Sequence, residues 1–174
     1  LYNSDTTNIF HDKGVLTDEI LCSFVDEVAD SQVTAFLLCQ GGQTVFYRSG
    51  VTDYWGEQYG PAVRATWPER VQLGVRNLEC YLQRGVEPFD LLVERIRKRG
   101  MEGWLTFRMN EAHVVPVNYP HASSFWTAHP EWRLSTADPE ALVGNYGPEG
   151  VLSRALNYAI PEVRERRMAE IVEV

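Results

Sequence analysis

The run Val33-Thr-Ala-Phe-Leu-Leu-Cys39 is almost continuously apolar and is closed by Gly41-Gly42. A strand with one wet face alternates apolar and polar side chains, whereas a strand covered on both faces of a parallel sheet reads as an unbroken apolar run. Parallel neighbours cannot be joined by a hairpin, so the flanking sequence has to supply crossover helices. It does. Thr17 is placed to cap a helix with Asp18 and Glu19 in its first turn, and Ile20, Leu21, Phe24, Val25 and Val28 follow on one face. Beyond the buried strand, Val71, Val75, Leu78 and Leu82 recur at helical spacing up to Gly85, and Phe89, Leu92, Val93 and Ile96 do so up to Gly100.

Two further strands are expected. Leu1 to Asp5 is a short one with Asn3 and Asp5 on a common face, and Asn8 to Gly14 reads as a polar loop. Gly103 to Asn110 alternates, with Trp104, Thr106, Arg108 and Asn110 on one side and Leu105, Phe107 and Met109 on the other. Gln43 to Trp67 and Glu111 to Ile160 are long, aromatic and rich in Gly or Pro, as elaborated loops are. A helix over Ser123 to His129 is the short exception, and Pro161 opens a last helix with a mixed Val163, Met168, Ile171 and Val172 face.

Strand, helix, strand, helices, strand, helix implies α/β architecture with parallel strands, either a TIM-type barrel or an open doubly wound sheet. A dinucleotide-binding sheet is disfavoured, because Gly41-Gly42 lacks the third glycine and an immediate helix. Long segments after the strands favour the barrel, whose site is built from such loops. The expected fold is therefore a partial (β/α)8 TIM-type barrel, its N-terminal three strands with helices and long βα loops. Leu1 is not an initiator Met and starts in a strand-like run, and Pro161 to Val174 ends without a stop signal. The expectation is one barrel domain over residues 1–174, truncated at both ends.

Charge narrows the partners. A formal charge of −8 repels phosphate backbones, so nucleic acid is not an expected partner. The basic cluster Arg95, Arg97, Lys98 and Arg99 reads as a solvated helix end. No apolar stretch reaches the ~18 residues of a membrane span, and no membrane partner is expected. Cys22, Cys39 and Cys80 are too far apart for a zinc pattern and read as small core hydrophobes.

Candidate chemistry gathers after the expected third strand. Arg108 can orient a carboxylate and Asn110 can hydrogen-bond a sugar hydroxyl, and strand parity directs both to a barrel mouth. Asn3 and Asp5 share that parity, although Asp5 also suits a turn with Thr6 and Thr7. Glu111 and His113 offer acid, base or ligand groups, yet His11, His121 and His129 are scattered, so no metal site and no cofactor is expected. Trp55, Tyr59, Trp126 and Trp132 suit sugar stacking or, more simply, loop packing.

The residues Tyr2-Asn3-Ser4-Asp5, Arg108-Met109-Asn110-Glu111-Ala112-His113, Phe125-Trp126, His129-Pro130-Glu131-Trp132-Arg133 and Pro161-Glu162-Val163-Arg164 stand in this order along nearly the whole chain. In this pattern the sequence resembles the N-terminal portion of bacterial glycosyl-hydrolase-like proteins with an expected TIM-barrel fold. Glu111 stands where that pattern more often has Asp, and Asn157 where it more often has an acidic residue. The resemblance implies a carbohydrate substrate and a further strand beyond Val174 ending in an acidic cluster. Glycoside hydrolysis needs a carboxylate pair, so at most half of it is expected here. The alternatives are a noncatalytic carbohydrate-binding barrel and a barrel enzyme of another class, such as a metal-dependent isomerase.

Overall fold

A computed structural model describes residues 1–112, 119–134 and 154–174. The chain divides into two compact units. Unit 1 comprises residues 1–41, 46–48 and 61–107, and unit 2 comprises residues 42–45, 49–60 and 108–174.

Unit 1 is mixed α/β. Its three strands, β1 (Tyr2–Ser4), β2 (Ala35–Cys39) and β3 (Glu102–Thr106), lie parallel in the order β1-β2-β3. Asn3 pairs with Leu37, and Leu37 in turn with Trp104. The expected parallel, chain-ordered arrangement is thus observed. Helices α1 (Thr7–His11) and α2 (Asp18–Ala29) connect β1 to β2, and α3 (Pro61–Arg64), α4 (Glu69–Gln83) and α5 (Pro88–Lys98) lie between β2 and β3.

Local chemistry explains the helices. Thr17 caps α2, its Oγ1 accepting from the Ile20 N–H at 3.3 Å, and Leu21, Phe24 and Val25 are its buried residues. Gly85 and Gly100 follow α4 and α5 at φ 70° and 76°, the left-handed conformation that ends a helix and that glycine adopts without strain. Helix α5 buries Phe89, Leu92 and Ile96, packing on α2 and β3. Its basic end is more than solvated: Arg95 grips Asp26 of α2 through two hydrogen bonds of 2.8 and 2.6 Å, and Arg99 reaches Asp30 at 2.8 Å.

Three expectations fail in unit 1. Residues 7–11 form helix α1 instead of loop, because Ile9 and Phe10 are fully buried and α1 packs on α4. Asn77 of α4 secures the chain after α1, donating to the carbonyls of Phe10 (2.7 Å) and Gly14 (2.8 Å) and accepting from Leu16 N–H. Strand β3 stops at Thr106, since β2 ends opposite at Cys39 and Met109-Asn110 already turn. Arg108 and Asn110 are therefore not strand residues, and strand parity does not fix their direction. Cys80 is exposed on α4 and is no core residue.

The described residues of unit 2 form loops and two helices, α6 (Ser124–Ala128) and α7 (Pro161–Glu173), with a 3-10 turn at Pro130–Trp132. Ser123 caps α6 by accepting from Trp126 N–H at 3.1 Å. Ala122, Trp126, Leu156 and Val163 form the apolar core, with Phe125, Trp132, Tyr158 and Ile160 packed against it. Helix α7 departs from the mixed Val163, Met168, Ile171 and Val172 face expected of it. Its buried residues are Val163, Arg167 and Glu170, while Met168, Ile171 and Val172 are exposed. No helix among the described residues is long and apolar enough to cross a membrane.

Candidate functional site

In unit 1 one strained and one buried polar position stand directly after strands. Just after β1, Thr6 is fully buried at φ 66°, the left-handed region that a β-branched residue adopts only under strain. Its N–H donates to the Ser4 Oγ at 3.2 Å and its hydroxyl to the Ser4 carbonyl at 3.4 Å, which holds the strained turn. Just after β2, Gln40 is also buried. Its N–H donates to the Thr106 carbonyl at 3.0 Å and its carbonyl accepts from Phe46 N–H at 3.1 Å. The Gln40 Oε1 is enclosed with no hydrogen-bond partner among the described residues. A buried acceptor left unpaired is destabilising, which makes it a mark of a site shaped for something other than stability.

The candidate site proper lies in unit 2 and is organised around Gly42. A Cβ at this position would fall 2.5 Å from the Glu111 Cβ, so only glycine lets the two backbones approach so closely. Glu111 is buried and its Oε2 accepts from Arg108 Nη1 at 2.8 Å. The Glu111 carbonyl in turn accepts from Gln43 Nε2 at 2.8 Å. On the other side, Arg167 Nη1 donates to the Gly42 carbonyl at 2.7 Å, and its Nε to the Tyr158 hydroxyl at 3.2 Å. Tyr158 donates to the Met109 carbonyl, which returns the network to the Arg108–Glu111 segment.

Glu170 completes the set. It is paired with Arg167, and its Oε1 accepts from Arg166 Nε at 3.0 Å. Burial pushes its carboxyl above the usual range, and the two arginines and Thr52 counter that only in part. Thr52 also donates to the Gln43 carbonyl at 3.2 Å. The Gly42 and Gln43 carbonyls are thus held by Arg167 and Thr52, while Gln43 Oε1 and Thr44 Oγ1 are buried without a partner among the described residues. Arg108 differs from the rest, because its side chain is 37% exposed while that of Glu111 is 7%. It extends from an enclosed carboxylate to the surface, a geometry suited to orienting a polar ligand.

The residues expected from sequence divide between the units. Asn3 and Asp5 are exposed in unit 1, and the Asp5 carbonyl accepts from Thr7 N–H at 2.7 Å in a tight turn. Arg108 and Glu111 meet in unit 2. Asn110 has a structural task there: its Oδ1 accepts from Leu156 N–H at 2.9 Å and its Nδ2 donates to the Leu156 carbonyl at 3.0 Å. His113 lies outside the described residues.

Among the aromatics, Trp55 and Trp126 are packing residues, buried to 1% and 3% exposure. Trp132 is half-buried and stacked on His129 at 3.6 Å. Thr6, Gln40, Gln43, Thr52, Tyr158, Arg167 and Glu170 were not singled out by sequence. For Arg167 and Glu170 a signal existed in their i, i+3 spacing one turn after Val163, but it is indistinguishable from an exposed ion pair until the helix is docked.

Among the described residues, no group of three or more His, Cys, Asp and Glu side chains is arranged to hold a metal ion. No protein-family model matches the chain, and no match emerges among curated proteins.

Proposed function

We propose that this chain is the N-terminal part of a (β/α)-barrel protein of the glycosyl-hydrolase-like kind that takes a carbohydrate substrate. Arg108, positioned by Glu111, orients the sugar, and the main catalytic carboxylates lie on a later strand beyond Val174. Support comes from three parallel strands in chain order separated by helices, the unit such a barrel repeats. The observation that carries the reading is the placement of strain and unpaired buried polarity after β1 and β2, at Thr6 and Gln40. In parallel α/β folds, ligands bind beyond the C-terminal ends of the strands.

The noncatalytic reading, a barrel that binds carbohydrate without cleaving it, is favoured by one feature. The buried carboxylates among the described residues of unit 2, Glu111 and Glu170, are both engaged by arginines, whereas glycoside hydrolysis needs one carboxyl available as proton donor and another as nucleophile or base. An oligosaccharide array probed with the full-length protein tests both readings. Retention with turnover supports the enzyme, and retention without turnover supports the binding barrel. Arg108→Lys, which keeps a cation beside the buried Glu111 carboxylate but loses the forked donors, is expected to weaken retention by roughly 1–3 kcal/mol with little change in melting temperature, whereas Arg108→Ala also strands that carboxylate and should lower it. Folded protein that retains no oligosaccharide contradicts both.

A further inference from the structure

A half-open cavity lies wholly within unit 1, beside α3 and the first half of α4, and its lining includes no residue of the network around Gly42. Its volume is about 220 Å³, below the range of pockets for drug-sized ligands, so it has room only for a small ligand of about one ring. Pro61, Ala65, Trp67 and Val75 give it apolar walls, and Trp67 and Val75 belong to the core. Three polar side chains complete the lining: Arg64, Gln72 and Arg76.

These three are not equivalent. Gln72 is committed to the fold, its Nε2 donating to the Trp67 carbonyl at 2.8 Å. Arg64 is neutralised, with Nη1 on Glu79 Oε1 at 2.6 Å. Arg76, one turn along α4 from Gln72, is exposed and makes no hydrogen bond or ion pair among the described residues. The cavity therefore combines apolar walls, an indole and one uncompensated guanidinium. That combination selects a ligand with a single negative charge and a flat apolar body, since a guanidinium pairs with a carboxylate through two parallel N–H donors and stacks well on flat groups. An inorganic dianion would leave the apolar walls unfilled and would meet only one uncompensated positive charge.

We propose that this cavity binds a small planar monocarboxylate, its acid group on Arg76 and its ring against Trp67. The site stands on unit 1 alone and does not depend on carbohydrate binding. The test is a titration of the full chain with sodium benzoate, followed by calorimetry and by the Trp67 indole resonance, with benzamide and inorganic phosphate as controls. Benzoate is expected to saturate, with benzamide and phosphate weaker by about tenfold or more, the size of one charge-assisted hydrogen bond. Arg76→Gln should weaken benzoate by a similar factor with an unchanged melting temperature, because the side chain is exposed and unpaired. Ala65→Phe, at another exposed position, should fill the mouth and remove benzoate binding altogether. Failure of benzoate to saturate the folded protein, equal affinity for benzamide, or an unchanged affinity in Arg76→Gln would each overturn the proposal.

Discussion

Helices α5 and α7 begin alike and end up opposite. Each starts on a proline, carries an acidic residue in its first turn, and buries one face. On α5 that face is Pro88, Phe89, Leu92 and Ile96, and the arginines lie at the margin in ion pairs with α2. On α7 it is Val163, Arg167 and Glu170, while Met168 and Val172 are 55% and 77% exposed. The difference shows that a helix turns inward whichever face its surroundings require. Unit 1 offers α5 an apolar sheet and helix, whereas unit 2 offers α7 the Gly42 carbonyl, the Tyr158 hydroxyl and Thr52. A buried carbonyl needs a donor, and no apolar side chain could supply it.

Substitution at the inward positions gives the largest expected effect. Glu170→Ala should cost about 3–5 kcal/mol, because it strands a buried guanidinium. Leu92→Ala should cost roughly 2–5 kcal/mol by leaving a cavity in α5's core. Similar losses from unrelated causes would sharpen the comparison. A Glu170→Ala penalty typical of a surface ion pair, below about 1 kcal/mol, would break it. Denaturant melts of the two variants measure both.

Asn110→Ala comes next. Its two hydrogen bonds to Leu156 are local to unit 2, so a loss of about 1–2 kcal/mol is expected, with oligosaccharide retention falling no further than stability explains. A selective loss of retention at full stability would instead return Asn110 to the binding residues.

The smallest effect is in pH dependence, where the two helices should differ in sign. Asp26, held by Arg95 of α5, has its carboxyl lowered from 3.8, chiefly by that hydrogen bond. The stability this contributes is present above the unfolded value and is lost as pH falls through the folded one. Glu170 is raised above 4.5 by burial. Its contribution is present below that value and is lost as pH rises through the folded one. The penalty of Asp26→Asn should therefore grow from strongly acidic to neutral pH, and that of Glu170→Gln should shrink, as urea titrations at several pH values can follow.

Much of unit 1 was legible because its signals are periodic. The apolar run before Cys39, the Thr17 cap and the stripes of α4 and α5 each repeat a geometric rule over several turns or residues, and the parallel order followed from the crossovers. What escaped depends on single contacts between distant positions. Nothing near Asn77 in sequence announces that it ties down Gly14 and Leu16, and nothing near Gly42 announces Glu111 or Arg167. Arg108 and Glu111 stand out in the sequence by their place after β3, although the strand stops two residues before Arg108. The pairing of the Asn110 amide with the Leu156 backbone is another contact that no local pattern announces.

The buried ion pair of α7 is expected to position Gly42-Gln43 while contributing little net stability. Thermal unfolding of the double variant Arg167→Met/Glu170→Leu, beside Glu170→Ala, measures this. Replacing a buried pair by apolar side chains is often neutral or stabilising, even though removing one partner is severe. The double variant should recover part of the stability lost in Glu170→Ala, the shortfall of about 1–3 kcal/mol being the Gly42 carbonyl left without its donor, while the Gly42-Gln43 amide resonances shift. A double variant as unstable as Glu170→Ala, or one whose Gly42-Gln43 resonances stay in place, would contradict this expectation.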